Sequence, residues 1–178
     1  MINSLRPSVL LWILFISLSL WPVHAANAPL EFSLNSDRQI YKIDTPIKLK
    51  LEFRNNSKNP LVVYTGLLPD TNFNMDILRI DAKGYENKLS WPRRLYERTA
   101  PRKDEFVTIP PYGIFKDSFI LQEYMDEHVN LLEKGQYKLT VRYSNDIEGY
   151  QEYQPYSFIK IDTWKGKIAS NTIIITIQ

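Results

Sequence analysis

Asp70, Asn72, Asn74 and Asp76 alternate through the run Asp70-Thr71-Asn72-Phe73-Asn74-Met75-Asp76, and Asp81 stands twelve positions from Asp70 counted inclusively. That is the oxygen spacing of an EF-hand calcium loop. Met75, however, occupies the position where the sharp turn of such a loop needs glycine, and a calcium loop leaves Phe73, Met75 and Ile77 without a role. Read as a strand, the same run places its apolar side chains on one face and its polar ones on the other, so no metal ligand is assigned there.

Nucleophilic and zinc chemistry fare no better. The chain has no cysteine and two histidines, His24 and His128, of which His24 falls in a leader expected to be removed. A single histidine cannot build a His-His metal pair or an H-E-x-x-H helix. No G-x-S-x-G turn offers His128 a serine to activate. A glycosidase-type carboxylate pair is assembled in space, and nothing among the 20 acidic residues marks one out. The chain is therefore expected not to be an enzyme, with no catalytic residue, metal or cofactor assigned.

Two segments have the chemistry of recognition instead. Tyr150, Tyr153 and Tyr156 recur every third residue, and tyrosine offers large contact area at small entropic cost. Strands also carry tyrosine on half-buried faces, which is the competing reading. Arg93, Arg94, Arg98, Arg102 and Lys103, with Trp91 and Tyr96 among them, form the densest basic stretch. Guanidinium groups grip phosphate or carboxylate, and aromatic rings stack on sugar or peptide. A solvated loop anchored by Trp91 is the alternative.

The elements that must position these segments read as β. Ile47, Leu49, Leu51 and Phe53 alternate with Lys48, Lys50 and Glu52, and Tyr137, Leu139, Val141 and Tyr143 alternate with Lys138, Thr140 and Arg142. Shorter strands are expected at Leu30–Leu34, Leu61–Tyr64, Asn87–Trp91, Phe106–Ile109 and Phe115–Leu121. Phe73 to Ile80 forms another, with a bulge near Ile77-Leu78 where the apolar phase shifts to Leu78 and Ile80. One helical turn fits between Gln122 and Leu132. Thr172 to Ile177 closes the chain as a β-branched strand that must be paired, because an exposed one would aggregate. Turn signals at Asn35-Ser36-Asp37, Asn55–Pro60, Ala82-Lys83-Gly84 and Pro110–Gly113 separate these runs. The fold class expected is all-β, a Greek-key sandwich of about seven to nine strands.

The N-terminus carries one cation, Arg6, then the apolar run Val9–Ile16, then Val23-His24-Ala25 before Ala26. That is the three-part pattern of a cleaved secretory signal, too short in its apolar core to span a membrane. Residues 1–25 are expected to be the signal peptide and residues 26–178 a single domain, periplasmic or secreted, with no transmembrane anchor after cleavage. With 22 basic and 20 acidic residues the chain is close to neutral, so nucleic acid is not an expected partner. Lacking cysteine in a compartment that permits disulfides, the domain must rely on its core and hydrogen bonds.

Glu133-Lys134-Gly135-Gln136-Tyr137-Lys138-Leu139 resembles the corner of immunoglobulin-like domains in which a tyrosine hydroxyl bonds back to the chain a few residues upstream. Leu139 stands where antibody domains carry cysteine. Asp44-Thr45-Pro46-Ile47, the strand end Arg54-Asn55-Asn56-Ser57 and the stretch Trp164–Asn171 have the same look. Together they resemble bacterial secreted immunoglobulin-like domains of uncertain role and, more loosely, the BsuPI-type proteinase inhibitors. The resemblance implies an immunoglobulin-like sandwich and carries over no functional residue. The function expected is a non-enzymatic binding or accessory module that recognises a protein or glycan of the cell envelope through its loops. The alternatives are a proteinase inhibitor, or a structural subunit joined by strand addition at Thr172–Ile177.

Overall fold

The computed structural model describes residues 28–66, 72–90, 100–125, 132–153 and 156–178. Along them run β1 (Leu30–Ser36), β2 (Ile40–Tyr41), β3 (Lys48–Asn55), β4 (Leu61–Tyr64), β5 (Phe73–Ile80), β6 (Glu86–Lys88), β7 (Phe106–Ile109), β8 (Ile114–Ile120), the single-turn helix α1 (Leu121–Met125), β9 (Gly135–Asn145), β10 (Gly149–Tyr153), β11 (Tyr156–Lys160), β12 (Gly166–Ala169) and β13 (Ile173–Ile177). The long alternating runs all became strands. The number exceeds the expected seven to nine because short strands such as β2 and β12 carry too few residues to show a period.

The two main sheets have the orders β1-β3-β8 and β2-β13-β9-β5-β6, with β12 also paired to β9, while β4 pairs with β7 and β10 with β11 in separate two-stranded sheets. With β1, β3 and β8 as strands A, B and E, and β5, β9 and β13 as C, F and G, this is the strand partition of an immunoglobulin-type sandwich. Both sheets turn their alternating apolar faces inward. Leu49, Leu51 and Phe53 from β3 and Tyr137, Leu139, Val141 and Tyr143 from β9 are all essentially inaccessible to solvent. Aromatic rings run through the core: Phe32 stacks on its cross-strand neighbour Phe53 at 4.6 Å, Phe53 meets the edge of Tyr143 in the other sheet at 5.1 Å, and Tyr143 stacks on Trp164 at 5.8 Å. Such pairs add to the burial of a core that has no disulfide to lean on.

The tyrosine corner forms as its motif predicts. The Tyr137 hydroxyl donates to the Glu133 carbonyl oxygen at 2.6 Å, and Leu139 packs in the core.

One expectation on the strands is corrected and another is met. Residues 73–80 pair with residues 136–143 in one unbroken antiparallel register, so no bulge interrupts β5 at Ile77-Leu78. Leu78 and Ile80 instead lie on the outer face, half-buried beside β6. The terminal strand does lie inside its sheet: β13 pairs antiparallel with β9 and, at Thr176 and Ile177, parallel with β2. Thr176 and Ile177 are therefore flanked by strands on both sides.

The outer edge of β1 is closed by a side chain. The Asn171 amide donates to the Leu34 carbonyl at 3.0 Å, and its oxygen accepts from the Leu34 N–H at 2.9 Å, so one side chain stands in for a neighbouring strand. Asn171→Ala leaves both half-buried groups without that partner and is expected to cost about 1–3 kcal/mol. Urea denaturation measures it, and a change below a few tenths of a kcal/mol would show that water replaces the amide at no cost.

Candidate functional site

The strands β9 and β12 form one hairpin of the sandwich, and β10 and β11 continue it past the end of the sheet. Asn145 pairs with Gly166 and Gly149 with Lys160, so three residues on one arm face five on the other between these pairs. Buried polar side chains hold this uneven joint. The Asn145 amide donates to the Trp164 carbonyl at 2.6 Å, its oxygen accepts from the Ile147 N–H at 3.0 Å, and the Thr163 hydroxyl donates to the Ile147 carbonyl at 2.5 Å. The extension is thus mounted on a satisfied, buried base rather than on a slack loop.

Beneath the extension lies an aromatic stack. Tyr150 on β10 is buried against Phe106 of β7 at 6.0 Å, and Phe106 packs on Tyr64 of β4 at 5.3 Å. The Tyr64 hydroxyl donates to Glu105 Oε2 at 3.1 Å, and that same oxygen accepts from the Arg102 N–H at 2.9 Å. A 3-10 turn over Lys103–Glu105 leads into β7 here. Arg102 is exposed, with its Nε 3.6 Å from Asp104 and 3.5 Å from Glu105.

The opposite face of the hairpin is open to solvent. Tyr156 is 74% exposed and Phe158 60%, next-but-one neighbours on the same side of β11, with Lys160 exposed two residues on. Cross-strand pairing sets Tyr153 opposite Tyr156 and Gln151 opposite Phe158.

These positions sort the residues picked from the sequence. Tyr150 is an internal anchor and does not belong to an exposed tyrosine surface: a spacing of three cannot keep three side chains on one face of strands whose period is two. Tyr156 is presented outward, and the described part of Tyr153 is its backbone. Arg102 reaches the same end of the molecule as Tyr150 and is engaged with its own acidic neighbours. Arg93, Arg94 and Arg98, with Trp91 and Tyr96, lie outside the described residues, as does His128. Phe158 was missed as a site residue, although the alternation Tyr156-x-Phe158-x-Lys160 marks it. The strand reading preferred over a calcium loop holds for residues 73–80, which form β5, where Asp76 pairs with Lys88 and Arg142, both at 2.5 Å.

A cleft of about 600 Å³ lies at another part of the sandwich, between the β2–β3 connection and the tyrosine corner. Several of its polar groups are committed to the fold. Arg79 donates to the Glu133 carboxylate at 2.7 Å and to the Lys134 carbonyl at 3.1 Å, and the Gln122 amide spans the Ile47 N–H and the Thr45 carbonyl. Among the described residues no cluster of three or more histidine, aspartate or glutamate side chains is placed to hold a metal.

Gly149 makes the extension possible. A Cβ built there would lie 2.0 Å from the Ile159 carbonyl oxygen, inside the paired strand. Gly149→Ala must therefore push β10 and β11 apart, at an expected cost of about 1–3 kcal/mol. The amides of β10 and β11 should exchange with deuterium faster than those of β9 and β5; uniform exchange in the variant would mean the hairpin absorbs the methyl group.

Fold and site together define an immunoglobulin-like β-sandwich with an elongated, aromatic-faced hairpin. No family model matches the chain, and no curated protein matches it.

Proposed function

We propose that this protein is an exported, non-enzymatic binding module of a bacterial envelope that recognises a protein or glycan partner through the outer face of the β10–β11 hairpin. The observation that carries the reading is the contrast between the two faces of that hairpin. Its inner face is anchored through Tyr150 and the Asn145–Thr163 joint, while Tyr156 and Phe158 are held in solvent. Large aromatics held out by a rigid base contribute contact area without an ordering penalty on binding. The tyrosine corner and the strand partition support kinship with the secreted immunoglobulin-like domains.

The test is capture from an envelope fraction and from a glycan array, with the Tyr156→Ser, Phe158→Ser double variant beside the parent. A partner held by the parent and weakened at least about tenfold in the variant supports the hairpin face as the site. A retained proteinase would make the module an inhibitor. Equal capture by both proteins would move the site elsewhere.

A further inference from the structure

The same hairpin has a second surface, its edge. Among the described residues β11 pairs with β10 alone, in a two-stranded sheet. The direction of its main-chain groups follows from one bond: the Ile161 N–H donates to the Glu148 carbonyl at 2.7 Å. Antiparallel ladders alternate, so Tyr150 with Ile159 and Glu152 with Ser157 are the hydrogen-bonded pairs, and Gly149 with Lys160 and Gln151 with Phe158 are not. The N–H and C=O of Phe158 and Lys160 consequently point away from β10, at the open edge. The residues with exposed side chains are the ones whose main chain is directed outward.

We propose that this edge pairs with β11 of a second copy of the chain, antiparallel and centred on Phe158. The sequence of the edge is self-complementary about that residue. A two-fold axis there sets Phe158 against its own symmetry mate and Lys160 of each copy beside Tyr156 of the other, ring against ring and ammonium against ring. An isologous contact needs only such a match of a surface with itself. A lysine on an edge ordinarily deters pairing, and the register centred on Phe158 is the one that converts it into an attraction. The proposal rests on the hairpin being a recognition element but uses its edge, leaving the aromatic face open on both copies and doubled across one four-stranded sheet. The contact is small against the area of a standard interface, so the dimer is expected to dissociate at roughly 10 µM to 1 mM.

Sedimentation equilibrium over that range tests it. The expected result is a reversible rise from monomer to dimer mass. Phe158→Pro removes the ring together with an outward N–H, keeps the bonds within the hairpin, and should raise the dissociation constant at least about tenfold with an unchanged far-ultraviolet spectrum. Lys160→Glu, which poses no backbone demand, should weaken the dimer several-fold. Phe158→Ser keeps the outward N–H, so it should lose envelope or glycan capture while dimerising more strongly than Phe158→Pro, which separates failure of the edge from failure of the face. A parent that stays monomeric throughout, or a dimer indifferent to both Phe158→Pro and Lys160→Glu, overturns the proposal.

Discussion

Replacing Asn55 by aspartate, a change of almost no volume, is expected to destabilise the protein by roughly 4 kcal/mol at neutral pH. Asn55 ends β3 and is fully buried. Its amide nitrogen donates to three carbonyl oxygens, those of Asn59 at 2.8 Å, Ile109 at 3.1 Å and Pro110 at 3.0 Å. Its oxygen accepts from the N–H and the hydroxyl of Ser57 at 2.9 and 2.7 Å. Aspartate keeps the second set and turns the first into a carboxylate facing three carbonyl dipoles in the interior. The β3–β4 turn and the end of β7 lose their common tie, and the carboxylate oxygen that replaces the amide nitrogen meets only negative ends of dipoles. That environment raises the carboxyl's pKa in the folded state, so the stability of the variant should recover as pH falls toward protonation and be lost again as pH rises. Asn55→Ala also removes the tie but introduces no charge, and its loss should not vary with pH. Urea titrations of both variants at about pH 7 and about pH 4.5 decide the matter: equal, pH-independent losses would show that the missing bonds outweigh the buried charge.

Asn55 also shows how much was legible in the sequence. The run Asn55–Pro60 announces a turn, and nothing in it announces that one amide would tie that turn to the end of β7, more than fifty residues away, because such bonds exist only once the sheets are assembled. Local periodicity, by contrast, read well. The alternation from Ile47 to Phe53 and from Tyr137 to Tyr143 reports a half-buried strand wherever it packs, and the Glu133–Leu139 motif reports a corner closed within five residues. The misplaced bulge has a plain origin: Leu78 and Ile80 are apolar but sit on the outer face beside β6, so composition there does not track burial. For the recognition site, the segment was legible and its faces were not. Tyr150 and Tyr156 are equivalent as residue types, and what separates them is that Phe106 arrives under one of them from a strand more than forty residues away.

Above pH 10 the stability of the protein is expected to fall steeply, and three buried tyrosines are the cause. Burial, first, and the bond to Asp37, second, push the Tyr41 hydroxyl up to about 12. Burial also raises Tyr137 and, furthest, Tyr143, whose hydroxyl donates to the Tyr64 carbonyl at 2.7 Å. In the unfolded chain these groups ionise near the ordinary tyrosine value of about 10, and in the fold they stay protonated. A folded pKa raised in this way contributes stability that is complete below the unfolded value and is lost as pH rises through the folded one. Between about pH 10.5 and 12 the native state therefore holds more protons than the unfolded one, and stability should decline by about 1.4 kcal/mol per pH unit for each tyrosine still protonated in the fold. Asp37 works at the other end. Its carboxylate is held below the usual range chiefly by the 2.5 Å bond from Tyr41, so its contribution is present above the unfolded carboxylate value and is lost as pH falls through the folded one. Absorbance at 295 nm, which reports tyrosinate, should show part of the tyrosine titration arriving cooperatively with the loss of circular dichroism. Tyr143→Phe removes one titrating group without removing its ring from the Phe53–Trp164 stack, so its alkaline slope should be shallower by about one proton even though the variant starts less stable. A slope unchanged by that substitution would assign the alkaline transition to other groups.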